Sequence, residues 1–187
     1  MDPAAAPGMM MTAMERPAPA TADFEETVRQ HWSGIFRFIL ASVRDRDAAG
    51  SLAQDCFFKA YRARDRFRGD CSLRAWLMQI AVNLVRDHAR SRRLRFWRTA
   101  RETAGEINVP GREASPEAQT LAKERLRAVW EASGRLPERQ RTVFLLRFVE
   151  DMDLLEIAAA TGLKEGTVKA HLFRALQTIR EELRRPS

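Results

Sequence analysis

The sequence predicts an all-α protein built as two small helical domains joined by a flexible linker. Apolar residues recur at helical spacing through most of residues 24–183. No segment alternates apolar and polar residues as a half-buried strand does. Between residues 95 and 116 the pattern lapses, and Gly105, Pro110, Gly111, Ser115 and Pro116 punctuate it. Each domain has only about 70 residues, so each is expected to bury a modest core.

The elements follow in chain order. Residues 1–22 are rich in Ala, Pro and Met and read as a disordered tail. An acid at Asp2 and the lack of a cationic start before an apolar core argue against a signal peptide. A first helix is expected at about 24–44, carrying Phe24, Val28, Trp32, Ile35, Phe36, Ile39 and Val43. A second, at about 50–64, carries Leu52, Ala53, Cys56, Phe57, Ala60 and Tyr61. Residues 65–72 contain Gly69 and Asp70 and read as a loop ending in a Ser72 N-cap. The third helix, about 73–94, has the most regular stripe: Leu73, Trp76, Leu77, Ile80, Ala81, Leu84, Val85 and His88. Asn83, Arg86, Arg90 and Arg93 share its opposite face. Beyond the linker, helices are expected at about 117–133 and, after Pro137, at 138–149.

The last two helices have a distinctive form. A short helix carries Leu154, Leu155, Ile157 and Ala158, and Thr161-Gly162-Leu163 forms a turn in which Gly162 can adopt the left-handed backbone that ends a helix. A second helix begins near Lys164 with one apolar stripe: Val168, Leu172, Ala175, Leu176, Ile179 and Leu183. Its other face shows Glu165, Lys169, Arg174 and Gln177. A helix packed by one stripe, with a polar N-terminal turn exposed, suits insertion into a DNA major groove.

The charge agrees with a nucleic-acid partner. The chain has 187 residues, 32 Lys and Arg against 25 Asp and Glu, and a formal charge of +7. The surplus is concentrated in residues 24–110, with 17 basic against 10 acidic residues, so attraction to phosphates is strongest in the first domain. Residues 86–101 hold seven arginines interleaved with Phe96 and Trp97, which suits phosphate clamping and base stacking. Phe67, beside Arg66 and Arg68, is a second candidate for contact with bases. Cys56 and Cys71 are read as reduced thiols rather than a disulfide framework. His31, His88 and His171 lack partners at metal-ligand spacing, so no metal is expected. No apolar run approaches the roughly 20 residues needed to cross a bilayer, so membrane insertion is not expected. Nor is there a Gly-rich phosphate loop or a catalytic triad, so neither an enzyme nor a cofactor is expected.

Two runs carry a family resemblance. FRGDCSLRAWLMQIAVNLVRDHARSRR resembles region 2 of bacterial sigma factors of the extracytoplasmic function (ECF) group. LPERQRTVFLLRFVEDMDLLEIAAATGLKEGTVKAHLFRAL resembles their region 4. With the preceding helices, the likeness covers about residues 24–183. It implies a cytoplasmic, dissociable promoter-specificity subunit of core RNA polymerase. Leu52, Gln54, Asp55 and Phe57 would meet the clamp helices of the largest polymerase subunit, and region 4 the flap of the second-largest. Phe67, Arg68, Gly69, Asp70 and Ser72 would capture a flipped base, while Asn83, Arg86, Arg90 and Arg93 read and melt the −10 element. The −35 element would fall to Lys164, Glu165, Gly166, Thr167, Lys169, Ala170, His171 and Arg174. The resemblance further implies an anti-sigma factor as partner.

Departures from the family pattern occur at Gly50-Ser51, where acids are usual, and at Ala170-His171, where Ser-Arg is usual. The TVKAH run also resembles the reading helix of LuxR-type regulators, so a stand-alone duplex-binding regulator is the competing reading. Such a regulator gains nothing from a loop and an Arg/aromatic helix suited to single strands.

Overall fold

The structure is a computed structural model that describes residues 21–96 and 116–184, with side chains at 24–91 and 124–184. Of the expected tail only residues 21 and 22 are described, as the start of the first helix; residues 97–115 of the linker with Trp97, and the side chains of Arg93 and Phe96, lie outside the described residues.

Seven α-helices and one short 3-10 turn make up the described chain: α1 Thr21–Val43, α2 Arg46–Ala63, the 3-10 turn Arg64–Arg66, α3 Leu73–Phe96, α4 Pro116–Gly134, α5 Glu138–Phe148, α6 Leu154–Thr161 and α7 Glu165–Arg184. Among these residues there is no strand. Arg44 ends α1 in the left-handed region at φ 58°. Asp45 then caps α2 by accepting from the Ala48 amide at 3.0 Å. That cap starts α2 four residues before the expected position, because Asp45 is an N-cap signal that periodicity alone passes over. The Ser72 hydroxyl caps α3 as expected, accepting from the Ala75 amide at 3.1 Å.

The first half is a three-helix cluster of α1, α2 and α3. Ala49, Ala53 and Ala60 are fully buried on α2, and their small size lets neighbouring helices approach closely. Phe38, Ile39, Cys56, Leu77 and Ala81 complete its centre. In the second half α7 packs against α4, α5 and α6, around Val143, Leu146, Ile157, Val168 and Ala175.

Each half buries a modest core, as expected, and the two cores are in contact. The buried residues form one continuous cluster that runs through both halves. The halves meet where α6 packs on α3 and α5 on α1. This explains why the buried face of α3 is wider than its predicted stripe and includes Ala75, Met78 and Val82. Leu183, at the far end of the predicted α7 stripe, is instead 46% exposed.

Candidate nucleic-acid and polymerase interface

The helix-turn-helix is built by local rules. Asp153 caps α6 by accepting from the Glu156 amide at 2.8 Å, and Glu156 returns an acceptor to the Asp153 amide at 3.1 Å. This reciprocal box stabilises an eight-residue helix that would be marginal alone. Gly162 ends it at φ 69°, and its amide donates to the Ala158 carbonyl. The left-handed turn costs a β-carbon-bearing residue about 1–2 kcal/mol. Val168, Ala175 and Ile179 then anchor α7 to the core.

Anchoring fixes what α7 presents. Lys164, Gly166, Thr167, Lys169 and Arg174 are exposed at its N-terminal half, and Glu165, Ala170 and His171 are half-buried. Lys169 Nζ lies 2.6 Å from Glu165 Oε1, one turn away. His171 Nδ1 is buried without a hydrogen-bond partner, so this residue is partly a packing element.

The predicted region of the loop and α3 is brought together on one side of the first half. Gly69 takes φ 76°, the turn that returns the chain toward α3. Arg68, Gly69 and Asp70 are exposed around it. Phe67 is half-buried, its ring 5.1 Å from that of Trp76, so packing holds it at the loop's base. Ser72 both caps α3 and donates to Glu156 Oε1 at 3.4 Å. Asn83 and Arg90 are exposed on one face of α3, Arg90 4.0 Å from Asp87. Arg86, on the same face, lies 3.8 Å from Glu138 at the start of α5.

On α2 the outward residues are Ser51, Gln54, Asp55, Phe58 and Arg62, with Leu52 half-buried. Phe57 is a correction: it is 5% exposed and stacked on Trp32 with centroids 5.7 Å apart. The exposed aromatic at this turn is its neighbour Phe58, 61% exposed under the Arg62 guanidinium. The apolar pattern of the helix already grouped Phe57 with the buried residues, and the surface assignment came from the family resemblance.

Sequence reasoning missed a cluster between the halves. Glu150 follows α5 and is buried between α1 and α3. Its Oε1 accepts from Arg37 Nε at 2.8 Å and its Oε2 from Arg37 Nη2 at 3.0 Å. Arg74 reaches the same carboxylate at 3.9 Å and donates to the Glu150 carbonyl. Burial pushes the Glu150 carboxyl up, against the opposing pull of Arg37 and Arg74. Desolvation and Arg74 likewise depress the nearby His31. On the other side, Arg44 donates to the Trp130 carbonyl at 2.8 Å and lies over its ring. Among the described residues no group of His, Cys, Asp and Glu could hold a metal.

Comparison with known proteins finds two matching segments. Residues 27–95 match the Sigma-70 region 2 family model, and residues 126–179 match Sigma-70, region 4. The RNA polymerase sigma-H factor of Pseudomonas aeruginosa is 34% identical over 166 residues, 86% of each chain. The ECF RNA polymerase sigma-E factor of Escherichia coli is 35% identical over 133 residues, covering 68% of this chain and 70% of that protein. Among solved structures, the fold is shared with the sigma factor RpoE of Bartonella quintana, crystallised with the anti-sigma factor NepR. The TM-score there is 0.71 at 23% identity, over 89% of this chain and all of that one. CnrH, solved in complex with the cytosolic domain of CnrY, gives a TM-score of 0.63 at 24% identity, over 88% of this chain and 89% of that one.

Proposed function

This chain belongs to the bacterial RNA polymerase sigma factors, in the ECF group, and on that premise we propose which surfaces do which part of initiation. It binds core RNA polymerase and directs it to promoters that carry matching −35 and −10 elements. The outward face of α2, with Gln54, Asp55, Leu52 and Phe58, meets the clamp helices of the largest subunit. Region 4 meets the flap of the second-largest. The loop at Phe67, Arg68, Gly69, Asp70 and Ser72 receives an extruded base, since a paired base does not expose its Watson–Crick edge. Asn83, Arg86 and Arg90, with Arg93 beyond, read the bases beside it. Lys164–Arg174 enters the major groove at −35.

The observation that carries this reading is the presence of region 2 and region 4 in one chain, in that order. A stand-alone regulator of the LuxR kind needs only the second. The chain supplies binding energy for recognition and strand opening and leaves the chemistry to the polymerase. No described helix is long and apolar enough to cross a membrane, which suits work in the cytoplasm. The complex of RpoE with the anti-sigma factor NepR supports regulation by an anti-sigma factor here.

Run-off transcription tests it. Core polymerase with this chain is expected to initiate at one defined start on a cognate genomic fragment, and core alone is not. Duplex binding without any polymerase-dependent start would favour the stand-alone regulator.

A further inference from the structure

A cavity of about 190 Å³ opens between α1, α3 and the turn after α5. It is far larger than the roughly 10–15 Å³ that one water needs. It is smaller than the roughly 300–1,000 Å³ that hold drug-sized ligands. Its polar lining is Gln30, His31, Ser33, Arg37, Arg74 and Glu150. None of these six belongs to the surfaces assigned above to promoter or polymerase.

The lining has one charged acceptor and more donors than that acceptor can use. The Glu150 side chain is 1% exposed, and its carboxylate already accepts twice from Arg37. Arg37 commits Nε and Nη2 to this pair, and its Nη1 makes no hydrogen bond among the described residues. Arg74 commits Nη2 to the Glu150 carbonyl, and its Nε and Nη1 likewise make none there. The Gln30 amide donates away to Glu26 Oε1 at 3.0 Å. The Ser33 hydroxyl adds a further donor to the lining. Two guanidinium groups against one carboxylate leave the cavity net positive. His31 does not alter this balance, because burial and Arg74 hold it below its usual value and keep the ring neutral near neutral pH.

These facts select the charge of an occupant. A cation would meet two arginines and no free charged acceptor. An oxyanion would meet forked N–H groups whose geometry matches carboxylate and phosphate. Glu150 shows the match within the chain, as a carboxylate held by one of those forks. The volume then limits the size to an ion of a few heavy atoms.

We propose that this cavity is a binding site for a small oxyanion, a phosphate or a short carboxylate, held between Arg37 and Arg74 with Ser33 at its edge. Glu150 fixes Arg37 from the buried side and leaves the outer N–H groups to the ligand. Partial burial makes each such bond stronger than at an open surface arginine. The site stands on the cavity and its lining, so it does not depend on promoter recognition.

The test uses the full chain, whose other cationic surfaces attract anions loosely, so it must locate the ion as well as detect it. Inorganic phosphate and acetate are added separately, with chloride at matched ionic strength as reference. Thermal unfolding reads binding, since a ligand held only by the folded chain raises Tm. NMR titration of the histidines reads position, because His31 lines the cavity and His88 and His171 do not. Phosphate, acetate or both should raise Tm saturably and should raise the His31 pKa more than those of the other two, because an anion there offsets Arg74. Ser33→Glu sets a fixed carboxylate at the cavity edge, keeps helix propensity and touches neither Arg37–Glu150 bond. It should raise the half-saturating anion concentration several-fold and remove the anion-dependent rise at His31. Arg74→Gln should do the same; if it loses helical circular dichroism, Ser33→Glu decides alone. A response to one anion only assigns the ligand as phosphoryl or carboxylate, and a response to both assigns a general oxyanion site. No rise in Tm beyond chloride, a His31 that does not move, or a full response in Ser33→Glu overturns the proposal, the last by placing the ion elsewhere on the chain.

Discussion

Replacing Lys169 or Arg174 with Ala separates the folding of region 4 from its recognition of DNA. Neither residue belongs to the buried set Val168, Ala175 and Ile179 that anchors α7. Lys169 makes one exposed pair with Glu165, 2.6 Å away and one turn earlier. Such pairs contribute about 0.3–0.5 kcal/mol, so the urea midpoint should barely move. A base or phosphate contact is worth about 1–3 kcal/mol, which corresponds to roughly 5- to 150-fold in affinity. Lys169 should lie at the low end, because reaching DNA means leaving Glu165. By the same reasoning Glu165→Gln frees Lys169, removes a charge that repels phosphate, and should tighten binding a few-fold. If Glu165 instead accepts from a cytosine, Glu165→Gln relaxes preference at a single −35 position. The assay is the affinity of mutant holoenzyme for a promoter panel with single changes at −35, at two salt concentrations. A lost phosphate contact weakens all promoters alike and lowers the salt slope by about 0.9. Lys169→Ala and Arg174→Ala both matching wild type across the panel, at both salts, would refute the docking of α7 in the groove.

Asn83→Ala and Arg90→Ala should weaken open-complex formation more than binding to closed duplex. Permanganate footprints on duplex and pre-melted promoters read this directly, and equal defects on both would remove strand opening from their role. Gly162→Ala forces a β-carbon into φ 69° and should cost about 1–2 kcal/mol of stability, measured by denaturant unfolding; an unchanged midpoint would deny that this turn is strained. The two thiols should differ in reactivity, because burial pushes Cys56 up to about 12, while Cys71 is raised by desolvation and Asp70 but is half-buried in a loop. A thiol reagent at mildly alkaline pH should label Cys71 in the native chain and Cys56 only on unfolding; equal native rates would contradict the packing around Cys56.

Local signals made most of the fold readable from sequence. The Ser72 cap, the left-handed Gly162 and the α3 stripe each act over a few residues, so their physics is written contiguously. The start of α2 was displaced because Asp45 caps it from a turn with no apolar residue to mark the phase. The exposure of candidate site residues was readable where it follows helical phase, as at Asn83, Arg90, Lys169 and Arg174. At Phe57 the two readings differed: the apolar pattern of the helix placed it in the core, where it is buried against Trp32, and only the family resemblance placed it on the polymerase-facing surface.

The joint between the halves was not readable, for a physical reason. Its members look like surface residues or defects when taken alone. Glu150 follows a helix, where a solvated acid is unremarkable, and Arg37 and Arg74 look like ordinary polar positions on amphipathic helices. Gly34 looks like a weak point in α1. Their meaning appears only when chain segments 113 residues apart meet, as Arg37 and Glu150 do. A carboxylate that is 1% exposed at the side chain needs compensation for lost hydration. The two arginines supply it, and the absent β-carbon at Gly34 lets it come close enough to receive it. These requirements fall as single positions on α1, on α3 and on the turn after α5, so none leaves a periodic trace.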